Sequence, residues 1–325
     1  MLLGFVISGA LLAWVLRGVG LEGVRADLAG ASLWPLALSV VFKSGGFMAL
    51  SWRLTSLLRP VGGVPLSTSF RGQILGFAAN NLVPLRLGEL AKIDSVARQT
   101  GIHRATVLAA AATERLLDLF WLLALLVLVA PVALSKFNLP WIAGAGVITL
   151  ATAIGAWWLA SRPTALRRVF ERIGEVTGFR AIARVGAFAH SFADGLEGLR
   201  SARVTVEALS ATILYWGCSF CSITLWLRAF SLEAPWYAPA VVLVFLAFGT
   251  AIPASPGFVG TYEFFFLSAL SVFGISAADA TGMVMVGHAL VIIPFTVLGA
   301  LLAPGEILDV FRRFRADKSA GDAVA

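Results

Sequence analysis

Charged side chains are scarce: Asp, Glu, Lys and Arg make up 13% of the 325 residues, where a soluble domain carries about 25%. Together with an apolar fraction of 59% and a mean hydropathy of +0.88, this excludes a water-soluble globule. Cysteine is nearly missing. The two present, Cys218 and Cys221, lie within the apolar stretch 213–226, so no disulfide framework is expected. A C-x-x-C there reads as one helical turn of small packing residues. Histidine occurs three times. There is no H-E-x-x-H helix, no His/Asp metal spacing and no Ser or Cys beside a base, so no metal, no cofactor and no enzyme activity is expected.

What the chain has instead is long apolar runs. Six can cross a hydrocarbon core of about 30 Å: residues 1–16, 33–52, 106–129, 139–160, 204–227 and 280–303. The first reads as a retained span because no basic n-region precedes it and no small-residue cleavage site follows. Two further apolar stretches are interrupted. Residues 66–100 break at Asn80-Asn81-Leu82-Val83-Pro84, and residues 236–276 break at Pro253-Ala254-Ser255-Pro256-Gly257. Each half is too short to span, and broken backbone at membrane depth is tolerated only where protein or a wet cavity covers it. Both stretches read as re-entrant hairpins of two half-helices, with ordinary proline-kinked helices as the alternative.

The expected fold is therefore an all-α polytopic membrane protein with about six transmembrane helices and two re-entrant hairpins. The order span, span, hairpin, span runs twice, over 1–131 and 132–303, and the second copy is expected to be inverted. Breaks at matching places in inverted halves point to a transporter with its site near the midplane. Segment 161–203 reads as amphipathic surface helix on the cytoplasmic side, and 304–325 as a basic cytoplasmic tail. Nineteen basic residues, Arg53 and Lys92 among them, fall on the expected cytoplasmic side and four on the other. That positive-inside bias places both termini in the cytoplasm. Heavy use of arginine over lysine points to a GC-rich bacterial genome, and the expected location is the bacterial cytoplasmic membrane.

Ionisable groups at membrane depth each need a reason. Glu114-Arg115-x-x-Asp118 in the third span is the densest set; Glu114 and Asp118 share a helical face, and Arg115 can pair with Asp118. The set reads either as helix glue or as a site, and its net charge of −1 calls for a partner. In the first hairpin Pro84 suits the first turn of a new half-helix whose backbone N–H groups, with Arg86, can hold an anion. Gly88 and Glu89 follow, and Asn80 and Asn81 offer amide groups. In the second hairpin Ser255 and Pro256 read as N-cap and N1, Gly257 and Gly260 allow close approach, and Glu263 lies within two turns. Asp118, Glu263, His288 and Lys43 are candidates for proton coupling, although His288 reads first as a satisfied core histidine.

Asn81-x-x-Pro84-x-Arg86-x-Gly88-Glu89, Glu114-Arg115-x-x-Asp118 and Pro256-Gly257-x-x-Gly260-x-x-Glu263 together resemble the lysylphosphatidylglycerol synthase transmembrane-region family. That resemblance implies a flippase-like fold that handles phospholipid or polyprenyl-linked headgroups. No aminoacyltransferase domain is expected after Ala303. The reading that follows is a membrane lipid transporter, with an ion-coupled small-anion transporter or a membrane-embedded lipid-modifying enzyme as alternatives. Membrane lipid is the expected partner and nucleic acid is not; self-association and a separate lipid-modifying enzyme are left open.

Overall fold

The computed structural model describes residues 29–83, 87–136, 151, 201–251 and 255–309. The expected span 1–16, Pro84 and Arg86, nearly all of the span 139–160, most of the segment 161–203 and residues 310–325 lie outside the described residues. Every regular element among the described residues is helical.

Long helices alternate with pairs of short ones. Helix α1 covers Leu33–Leu58 and α2 Leu66–Leu82, with α3 following at Gly88–Thr100 and α4 at Arg104–Lys136. In the second half α5 covers Ala202–Ala229, α6 Ala238–Ala251, α7 Thr261–Ser271 and α8 Ala277–Leu302. Local chemistry sets these limits. Ser276 accepts from Asp279 N–H at 3.2 Å to open α8, with Asp279 itself in the first turn. Gly101 closes α3 in the left-handed conformation, φ 75°.

Leu33–Val61, Ala202–Ala229 and Ala277–Leu302 are long and apolar enough to cross a membrane. The paired helices are not: α2 has 17 residues, α3 13, α6 14 and α7 11. At about 1.5 Å per residue none exceeds about 26 Å, short of the about 30 Å of a hydrocarbon core. Apolar side chains on the outside, Ile293, Val297 and Leu301 among them, fit a chain whose solvent is lipid.

Two expected boundaries move. The first break begins after Leu82, so Asn80 and Asn81 sit on the last turn of α2 rather than in the break. In the second, Pro256 opens only a three-residue 3-10 turn, Pro256–Phe258, and the half-helix starts at Thr261.

Packing in the two halves corresponds pair by pair. Helix α2 lies against α3 and α6 against α7; α3 meets α4 as α7 meets α8; and α1 meets α2 as α5 meets α6. Across the halves α2 packs on α8 while α6 packs on α4, and α1 and α5 form the most extensive contact in the molecule. Gly45 and Gly46 make that last contact close: a Cβ on Gly46 would lie 3.5 Å from the Tyr215 ring, and one on Gly45 3.4 Å from Cys218 Sγ. The two free cysteines are packing residues on α5.

Candidate functional site

The site begins with a helical period on α1. Gly46, Ala49, Arg53, Ser56 and Leu57 recur at three- and four-residue intervals and are all buried. Arg53 thus shares a face with small and apolar residues, and its side chain is fully buried. It points at α4. Arg53 Nη1 lies 2.8 Å from Asp118 Oδ1 and 3.1 Å from Thr212 Oγ1, Nη2 lies 3.3 Å from Asp118 Oδ2, and Nε lies 3.4 Å from Glu114 Oε1. Trp216 Nε1 donates to Asp118 Oδ1 at 3.2 Å.

Lys92 on α3 comes at the same carboxylates from the other side. Its Nζ is 3.0 Å from Glu114 Oε2 and 2.7 Å from Glu89 Oε2, and the side chain is 2% exposed. Gln73 Nε2 on α2 adds a bond to Glu114 Oε1 at 3.0 Å. Arg115 Nη2 lies 3.1 Å from Glu89 Oε1, and its Nη1 lies 3.6 Å from Asp118 Oδ2. Three cations and three carboxylates therefore close on one another. Burying an isolated charge costs several kcal/mol or more, and only pairing with full hydrogen bonding offsets it.

The partner that the net charge of −1 on Glu114-Arg115-x-x-Asp118 called for thus comes from α1 and α3. Arg53 and Lys92 neutralise Glu114 and Asp118, and Glu89 balances Arg115. Arg53 and Lys92, counted only among the basic residues of the cytoplasmic side, prove to be buried members of the cluster. Signals for both were present in the sequence: Arg53 lies on the small-residue face of α1, and Lys92 shares a face with Gly88 and Ser95 on α3.

Both asparagines of the first hairpin have partners within the chain. Asn80 Oδ1 accepts from Gly88 N–H at 2.9 Å and so caps α3 from the preceding helix. Asn81 Nδ2 donates to Thr296 Oγ1 on α8 at 2.9 Å, joining the halves. Gly88 has to be glycine: a Cβ there would collide with the Gly76 carbonyl oxygen and lie 2.6 Å from Asn80 Cγ.

In the second hairpin Ser255 occupies the expected N-cap position but does not cap; its hydroxyl donates to Val259 O at 3.1 Å. Gly257 (φ 68°) and Gly260 (φ 92°) turn the chain where L side chains rarely go. Glu263, in the first turn of α7, accepts Gly260 N–H at 2.6 Å through Oε2. Its Oε1 lies 2.6 Å from His288 Nδ1 on α8, and Tyr262 stacks on the His288 ring at 3.9 Å. Glu263 and His288 are both buried. His288 is thus partnered, in the manner of a satisfied core histidine. The halves rhyme here as well, because Glu89 at the start of α3 meets Arg115, the twelfth residue of α4, while Glu263 at the start of α7 meets His288, the twelfth of α8.

A cavity of about 310 Å³ lies where these elements converge. Lys43 on α1, Asn80 on α2, Glu89 and Lys92 on α3, Arg115 on α4 and Phe258 at the tip of the second hairpin all line it. The 3-10 turn Pro256–Phe258 packs on α2, so the broken segments of both halves meet at this space. Phe258 holds φ 57°, an unusual conformation for a bulky residue. Lys43 Nζ lies 5.7 Å from the Trp226 ring centroid.

Apolar spanning helices, two interrupted helix pairs and a polar cavity walled by buried charge define a polytopic all-α membrane protein. The sequence profile described as "Lysylphosphatidylglycerol synthase TM region" matches residues 1–299, and the chain belongs to that family, a membrane domain associated with lipid handling. No curated protein matches the chain.

Proposed function

We propose that this protein moves the headgroup of a phospholipid or lipid-linked substrate between leaflets, without chemically altering it. The observation that carries the reading is the cavity at the junction of the two broken helix pairs, where Lys43, Glu89, Lys92 and Arg115 share the lining with apolar side chains. A headgroup needs such a slot to pass hydrocarbon, while acyl or prenyl tails remain in lipid. The pairwise correspondence of contacts between the halves supports an inverted repeat, α2–α3 entering from the cytoplasm and α6–α7 from the opposite face. Glu89 and Arg115 form the accessible edge of the charge cluster: their side chains are 41% and 58% exposed, whereas Arg53 and Glu114 behind them have no exposed surface. Among the proton-coupling candidates, Asp118 is tied down by Arg53, so the role passes to Glu263–His288, which stands apart from the closed cluster. The excess of basic residues on the expected cytoplasmic side supports a bacterial cytoplasmic membrane with both termini inside. The test is translocation of fluorescent phospholipid in sealed vesicles bearing the purified protein. Rates equal to those of protein-free vesicles would sink the reading.

A further inference from the structure

Lys43 stands out once the charges around the cavity are counted. Glu89, Glu114 and Asp118 are matched by Arg53, Lys92 and Arg115 through contacts of 2.7 to 3.6 Å. Lys43 adds a fourth cation. Among the described residues it makes no hydrogen bond or ion pair, only the approach to the Trp226 ring. It lines the cavity alongside Tyr215, Ser219 and Asn80. Asn80 has its carbonyl oxygen taken by Gly88 N–H and keeps its NH₂ group as a donor. An ammonium inside an apolar helix, with no carboxylate of its own, calls for a counter-anion from outside the chain.

We propose that Lys43 seats the phosphodiester of a lipid headgroup occupying the cavity. A phosphodiester carries one negative charge, which balances the single excess positive charge of this residue set. Its oxygens only accept hydrogen bonds; Lys43 and Asn80 can donate to them, as can one hydroxyl of the hydrogen-bonded pair Tyr215–Ser219. The closed cluster beside it supplies a fixed wall and no further free charge. This rests on the reading of the protein as a lipid translocase and names its substrate class.

The experiment measures binding by calorimetry in detergent, where no leaflets exist, with dihexanoyl phosphatidylglycerol, dihexanoylglycerol and inorganic phosphate as probes. Wild type and Lys43→Arg are expected to bind the phosphatidylglycerol, and Lys43→Met to bind it about tenfold or more weaker, as loss of a hydrogen bond to a charged group implies. Dihexanoylglycerol, which lacks only the phosphoglycerol, is expected not to bind; this reads the same contact from the ligand side should Lys43→Met not fold. Equal affinity of Lys43→Met and wild type, or tight binding of dihexanoylglycerol, overturns the seat. Inorganic phosphate binding as tightly as the phospholipid overturns the lipid source. Translocation in vesicles separates the two claims. Wild type that binds without translocating sinks the transport reading alone, and Lys43→Met that translocates at the wild-type rate sinks the phosphate seat alone.

Discussion

Arg53 and Asp118 are 65 residues apart in the chain and 2.8 Å apart in space. Their pairing joins α1 to α4, and the same guanidinium reaches Thr212 on α5. Three helices thus converge on one buried cation. The arrangement leaves a rigid ionic core with Glu89 and Arg115 at its open edge and Lys43 across the cavity.

Replacing Arg53 by Met removes the cation and leaves Asp118 with only Trp216 and the longer Arg115 contact. The expected cost is about 3–5 kcal/mol, the penalty of breaking a buried pair. Arg53→Met/Asp118→Leu is expected to recover much of it. Thermal unfolding in detergent checks both, and a double variant no more stable than the single one would argue against the pairing.

Glu89→Gln addresses the open edge. It keeps the size of the side chain while releasing the ion pairs to Lys92 and Arg115. Because this residue is partly exposed, stability is expected to fall by no more than about 1 kcal/mol. Vesicle translocation is expected to drop severalfold. Unchanged translocation would remove Glu89 from the route.

At Gly88 the expectation is steric. An added methyl meets the Gly76 carbonyl and the Asn80 side chain, so Gly88→Ala has to separate α2 from α3 and loosen the Asn80 cap. Overpacking of this kind costs about 1–3 kcal/mol. A lower unfolding temperature and faster proteolysis between residues 82 and 88 are the readouts.

Glu263→Gln and Glu263→Ala are expected to differ. Glutamine can still accept the buried Gly260 N–H, whereas alanine leaves it unsatisfied, at a further cost of about 1–3 kcal/mol. Equal melting temperatures for the two variants would mean that the cap contributes nothing.

Asn81→Cys and Ser255→Cys, made with Cys218 and Cys221 replaced by serine, test the proposed direction of the hairpins. A membrane-impermeant maleimide is expected to label the first from the cytoplasmic side and the second from the opposite side. Inertness of both from either side would contradict the re-entrant reading.

The sequence by itself determined the solvent and the segmentation. Scarce charge and runs of about 20 apolar residues require lipid, and prolines inside two such runs marked candidate breaks, because a proline removes a backbone donor; Pro294, which α8 runs straight through, shows that proline alone does not end a helix. It also marked Glu114, Arg115, Asp118, Glu263 and Lys43, since an ionisable residue among apolar neighbours is conspicuous. Which charge meets which was decided only by the tertiary structure. Arg53 closes an apolar run and Lys92 lies in a mixed segment, and nothing local states that α1, α3 and α4 turn those faces together. Charge pairing acts through space and hydropathy along the chain, so the sequence named the costly groups while the packing of the helices chose their partners and, among the described residues, gave Lys43 no carboxylate.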